Sequence, residues 1–461
     1  MTKPPRPCDI LIRDALVLTL DAQGRSLSGG AVAIEGSRIS ALGPSEEIAA
    51  QVAPRETISA EGAFLLPGLI NLHNHTPLMI TRGMVEDRGF APAYTPGIPQ
   101  GHALAFEEAL ALSRLGVYEL LRAGSTTIVD FYRHPEALAR ALTELGLRGV
   151  VGGRIHDLDM ESLARGERRH DSRIGQDTLD ETLSLIAAFG DHPSGRLRCD
   201  FAPHAPDTCS AALLREVAAA AGAQGGNIHT HLAQSRDEVA YVRARDGVSP
   251  AALLEACGLL DERLIAAHCL FLDEADIALV GAAGITVAHA PIGNARAGDM
   301  APILALEAAG ARIALCTDTM SADMFEAMRM AIATARLRAG GAIADLEIDA
   351  AKTLGWATRS GAAALGLGGE IGSIEPGKKA DLILLARQAP NLAPVVDGAG
   401  ILVHSASALN VDSVLVDGQV LLRHGRPVAF DGAAIVSEAQ AVAESLWKRY
   451  GTTAVTSPVE T

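Results

Sequence analysis

The chain has 461 residues, more than one small core uses, so one large unit plus a smaller one is expected. Hydrophobic residues make up 48% and charged residues 20%, an ordinary globular balance that leaves little room for disorder away from the tips. The formal net charge of −16, with no basic stripe, argues against nucleic acid and anionic membrane as partners. The six cysteines (Cys8, Cys199, Cys209, Cys257, Cys269 and Cys316) show no C-x-x-C spacing and read as reduced, mostly buried thiols of a cytoplasmic protein. The opening MTKPPRPC has no apolar run behind its charges, and no stretch nears the ~18 apolar residues of a membrane span.

In chain order, residues 1–64 read as the first part of a small β-sandwich. Asp9–Asp21 (DILIRDALVLTLD) is β-branched and aliphatic, and Ala31–Leu42 (AVAIEGSRISAL) alternates about a central glycine like a hairpin. From 65 to 372 short apolar runs (STTIVDF, GVVGGRI, LRCDFAP, GNIHTHL, RLIAAHC, GITVAHA, ARIALCTD) alternate with helical patterns such as PEALARALTELG, AALLREVAAAAGA and MAPILALEAAG. That alternation predicts a parallel α/β fold, and its length fits a distorted (β/α)8 TIM barrel, with an open doubly wound sheet as runner-up. Residues 373–431, with ADLILL and VDSVLVDGQV, return to β character, so the sandwich is built from both termini. Residues 432–461 carry one amphipathic helix (EAQAVAESLWKRY) and a polar tail.

Ligand-type side chains end several of the apolar runs, the end where a barrel builds its chemistry. His73 and His75 follow FLLPGLINL; two residues apart on a strand, both imidazoles face one space and can share a cation at ~2.0–2.1 Å each. His229 and His231 end GNIHTH, His268 ends LIAAH, His289 ends TVAH and Asp318 follows IALCT. Groups from five strand ends converge only in a closed barrel. His102, His134, His170, His192, His404 and His424 read as surface residues. Neither an H-E-x-x-H helix, nor a G-x-S-x-G elbow, nor the H-x-E…P-C-x-x-C pattern of small zinc deaminases is present. Gly372–Lys379 (GSIEPGKK) nearly matches a P-loop, but Lys379 replaces its Ser/Thr, and it reads as a turn.

These motifs resemble the amidohydrolase superfamily, in its ATZ/TRZ branch of aminohydrolases and chlorohydrolases. The likeness runs through LLPGLINLHNHTPLMITRG, ELLRAGSTTIVDF, FAPHAPDTCS, IHTHLAQSRDEV, AAHC, TVAHAPIGN, ALCTDTMSADMFEAMR and the closing GSIEPGKKADLILL. The resemblance implies His73, His75, His231 and Asp318 as ligands of one divalent cation per subunit, with zinc ahead of iron, manganese or cobalt. It implies Asp318 also as the base and His268 as the group polarising the bond under attack. It implies His204 and His289 near the substrate, His229 as a neighbour of the site, a small-molecule substrate, and a homo-oligomer, dimer or larger.

One position departs from the pattern. Deaminases of this branch carry H-x-x-E after the fifth strand, and here that glutamate is Gln234. An amide has no proton to give in the useful range. Asp237 and Glu238 lie beyond the strand end and could substitute only with a shifted loop. Gln234 therefore favours hydrolysis of a non-peptide C–N bond with a real carbonyl: amide, urea, carbamate or cyclic amide. Deamination or dechlorination of a purine-, pterin- or triazine-type ring is the alternative. A non-catalytic barrel is the second alternative; it predicts less than ~0.3 metal per chain, whereas the full ligand set speaks for catalysis. The Pro- and Gly-rich stretch from Gly83 to Leu104 is expected to be a lid bringing Phe90 and Tyr94 to the pocket. Met320–Phe325 is expected at the rim, with Met324 and Phe325 as core of the next helix.

Overall fold

A computed structural model of the chain describes residues 4–87, 91–95, 98–99, 101–319, 321–340, 347–386 and 388–451. Its larger unit is an eight-stranded parallel barrel: β1 (Leu69–Asn74), β2 (Ser125–Tyr132), β3 (Arg148–Ile155), β4 (Leu197–Pro203), β5 (Ile228–Leu232), β6 (Leu264–His268), β7 (Thr286–His289) and β8 (Arg312–Leu315). Sequence neighbours are spatial neighbours throughout. The strands are buried on both faces, which is why they read as apolar runs without alternation.

Parity sorts their side chains. Leu69, Ile128, Val151, Ile228, Leu264, Val287 and Ile313 pack outward with helix residues such as Leu138, Leu142, Leu214 and Leu306. The intervening Ile70, Leu72, Val129, Val150, Ile265, Ala288, Ala314 and Cys316 pack on one another inside the barrel, against Ala362, Leu365 and Ile371. Between β8 and β1 the regular ladder gives way to side chains. Asn71 donates from Nδ2 to Thr317 Oγ1 (2.7 Å) and accepts at Oδ1 from Thr317 N–H (3.1 Å), and Asp318 N–H donates to the His73 carbonyl (3.1 Å).

The smaller unit is a nine-stranded mixed sheet from both ends of the chain. Leu382–Ala386 lies antiparallel to Ala63–Pro67, with Leu382 opposite Pro67 and Ile383 opposite Leu66. The expected hairpin is Ser26–Glu35 against Arg38–Pro44. Arg148, at the start of β3, joins the two units through a buried bidentate pair with Asp381 (2.8 and 3.1 Å). The helix Gly432–Arg449 returns to the barrel, where Trp447 Nε1–H donates to the Ile80 carbonyl (3.0 Å) in the segment after β1. No helix among the described residues is long and apolar enough to cross a membrane. All six cysteines are free, and all but Cys199 are buried.

Candidate metal centre and active site

The ends of β1, β5, β6 and β8 bring His73, His75, His231, His268 and Asp318 to one point. All four histidines are buried, and the Asp318 side chain is 12% exposed. Two hydrogen bonds fix what the rings present. His75 donates from Nδ1 to the Phe131 carbonyl (2.8 Å), and His231 donates from Nδ1 to the His204 carbonyl (2.6 Å). Each Nε2 therefore carries its lone pair, and the two lone pairs face each other at 3.2 Å. Two acceptors cannot bond each other; a cation between them resolves the contact. His73 Nε2 is buried with no hydrogen-bond partner, and Asp318 Oδ1 lies 3.8 Å from it and 3.9 Å from His75 Nε2. Candidate ligand atoms of His73, His75 and Asp318, and of His73, His231 and His268, each fall within 4.8 Å of one another.

Electrostatics point the same way. Burial holds His73 and His231 well below the ordinary imidazole range and brings His75 to about 4, so these rings are neutral at pH 7. Neutral imidazoles and one carboxylate suit a single divalent cation. Ala233, His268 and Asp318 hold φ of +48°, +73° and +58°, backbone costing of order 1–3 kcal/mol each, which clusters where function needs it.

A recess opens over this point, lined by His75, Tyr94, Tyr132, Arg154, His204, His231, Gln234, His268 and Asp318 among others. His204 donates from Nδ1 to Thr208 Oγ1 (2.8 Å) and accepts at Nε2 from the Arg154 guanidinium (3.0 Å). Burial, then the Arg154 charge, keeps that ring well below its usual range. Tyr94 sits in the described part of the expected lid and donates its hydroxyl to Asp207 (3.2 Å), which Arg168 also pairs (2.9 Å). Phe90 and Met320 lie outside the described residues. Met324 and Phe325 are fully buried in the helix Met324–Ala339.

Gln234 faces the recess, and its Nε2 is buried without a hydrogen-bond partner. Neither nearby carboxyl replaces the missing glutamate. Asp237 is exposed. Glu238 is buried and turned to the backbone, accepting from Ala233 N–H (2.9 Å) and Gln234 N–H (2.8 Å). Burial, then the Asp207 charge, pushes the Glu238 carboxyl well up. His289 is buried off the recess, both ring nitrogens unpartnered, and burial brings it down to about 3. His229 pairs with Asp200 (3.1 Å). His404 and His424 are exposed, as expected of surface residues, whereas His134, His170 and His192 are half-buried because each has a partner: the Leu104 carbonyl, Asp157 and Ser194. The His102 side chain lies outside the description.

Sequence reasoning passed over three site residues. Arg154 sits one residue before the end of the run GVVGGRI, close to where the candidate ligands sit in theirs, but guanidinium is not a ligand type. It is 1% exposed, and no carboxylate pairs with it among the described residues. Tyr132 ends STTIVDFY and accepts from Arg154 at its hydroxyl (3.2 Å). Asn294, in APIGN, accepts at Oδ1 from His268 Nδ1 (2.9 Å) and so turns His268 Nε2 toward Asp318 Oδ2, 3.9 Å away.

A barrel with this cluster at the C-terminal ends of its strands defines a metal-dependent hydrolase that uses one divalent cation. The chain belongs to the amidohydrolase family, which it matches over residues 64–421, and to its ATZ/TRZ-like branch. It is 35% identical to the 5-methylthioadenosine/S-adenosylhomocysteine deaminase of Moorella thermoacetica, over 93% of this chain and 97% of that one. Among solved structures it resembles a zinc-bound adenosine deaminase from Xanthomonas campestris (TM-score 0.86, 31% identity, 96% of this chain and 100% of that one). It also resembles a triazine hydrolase variant (TM-score 0.82, 25% identity, 94% and 99%).

Proposed function

We propose that this hydrolase of carbon–nitrogen bonds removes the exocyclic amine of an amino-substituted N-heterocycle of purine, pterin or triazine type. The observation that carries the proposal is the pair of facing His75 and His231 lone pairs at the floor of a recess lined by Tyr94, Tyr132, Arg154, His204 and Gln234. The relatives support this reading over the acyl-type bonds that Gln234 alone favours, since their names describe deaminases of adenine nucleosides and hydrolases of triazines. Hydrolysis of an amide, urea or carbamate remains the second reading, favoured by one observation: Asp318 is the only carboxyl among the described residues lining the recess.

His73, His75, His231 and Asp318 would hold the cation, and the donor set and the Xanthomonas relative both favour zinc. When bound, it supplies Lewis acidity that makes water a nucleophile near neutral pH. Asp318 accepts the proton that water gives up and returns it to the leaving amine. His268, held by Asn294 through Nδ1, offers its Nε2 lone pair to orient the water. Arg154, His204 and Tyr94 bind the remainder of the substrate. The test is a screen of the metal-loaded protein on amino-heterocycles against amides, ureas and carbamates, with ammonia followed separately from other amines. Ammonia from at least one amino-heterocycle is expected; turnover confined to the acyl substrates would overturn the proposal.

A further inference from the structure

Gln234 has three properties that together constrain the ring. It lines the recess, and its Nε2–H is buried with no protein acceptor, so a bound molecule must supply one or the donor stays unsatisfied. Its backbone is fixed, because Glu238 accepts from both Ala233 N–H and Gln234 N–H at a residue pair whose first member has φ +48°. And it cannot release a proton, while no described carboxyl other than Asp318 reaches the recess.

We infer, building on the deaminase reading, that Gln234 selects electron-poor amino-heterocycles by donating a hydrogen bond to the ring nitrogen beside the reacting carbon without protonating it. Such rings are azines with further ring nitrogens or ring carbonyls. The chemistry balances with one proton carrier. Water oxygen bonds to the ring carbon, the C=N π pair moves onto the ring nitrogen, and Asp318 takes one water proton. The nitrogen keeps that pair as an anion under the Gln234 N–H. Asp318 returns the proton to the exocyclic amine. The C–N bond then breaks with its electrons going to ammonia, and the nitrogen pair re-forms C=N. The sum is heterocycle–NH2 plus water giving heterocycle–OH plus ammonia. A hydrogen bond in place of a full proton transfer suffices only where the ring itself spreads the negative charge. An electron-rich amino-purine does so less than an amino-triazine.

Two measurements test this. The first is ammonia release by metal-loaded wild type and Gln234→Glu from a 2-amino-1,3,5-triazine and from adenosine. Wild type is expected to favour the triazine in kcat/KM by at least about 10-fold, and Gln234→Glu to shift that ratio toward adenosine by at least about 10-fold. The second is calorimetric binding of the triazine and of 5-aminopyrimidine, in which C–H stands on both sides of the amino-bearing carbon. The triazine is expected to bind at least about 10-fold more tightly to wild type, and the preference to vanish in Gln234→Met with the metal content unchanged. Equal kcat/KM on both rings, or a binding preference that survives Gln234→Met, overturns the role of Gln234 and leaves the deaminase reading standing. Ammonia from neither ring nor from a 2-aminopterin, with about one metal per chain bound, overturns both.

Discussion

At the scale of single residues, the centre is set by which nitrogen of each ring carries hydrogen. Backbone carbonyls of Phe131 and His204 hold the Nδ1–H groups of His75 and His231, leaving two acceptors 3.2 Å apart. That contact is repulsive in the bare protein, so stability and metal occupancy are linked. Chelation is expected to lower the melting temperature and re-addition of zinc to restore it, with about 2.7 kcal/mol of stabilisation at free ion 100 times Kd. Differential scanning calorimetry on chelated and reconstituted protein reads this directly. The sequence exposes the ligand types, since imidazole and carboxylate end apolar runs, and the two-residue spacing puts His73 and His75 on one side. It does not expose ring tautomers. Nor does it expose the direction of Glu238, whose neighbour Asp237 has the same charge and the opposite environment.

At the scale of elements, the seam between β1 and β8 differs from the other seven junctions. Asn71 and Thr317 replace ladder bonds there, one residue before Asp318 and two before His73. Thr317→Val keeps the shape and removes the hydroxyl that accepts from Asn71 Nδ2. It is expected to cost ~1–3 kcal/mol for the stranded buried donor. It is also expected to weaken metal retention by ~10-fold or more through a displaced Asp318. Denaturant unfolding and competitive chelation measure the two effects separately. The strands themselves were legible, because a parallel barrel buries both faces and so reads as short unbroken apolar runs. The seam was not, because 246 residues separate its partners and neither has any local pattern.

At the scale of the molecule, the barrel and the terminal sheet are locked by Arg148 and Asp381, both nearly inaccessible to water. Asp381 also accepts from Asp417 N–H (2.7 Å), so its charge is committed to this joint. Arg148→Met leaves a buried carboxylate unpaired and is expected to cost ~3–5 kcal/mol in urea unfolding, with the metal content of the folded fraction unchanged. That the sheet draws on both termini was legible from β character at both ends of the chain. The ion pair that fastens it was not, since Arg148 reads as one more charge beside the run GVVGGRI.

The seam has a consequence for how the enzyme comes into being. Its first strand leaves the ribosome long before its last, and the last of the proposed ligands, Asp318, follows the final strand. An unfinished chain has no Asp318 and no partner for Asn71, so closing the sheet and completing the reactive centre are one event. On the proposed ligand set, hydrolytic power is expected only of a chain whose barrel is complete through Asp318.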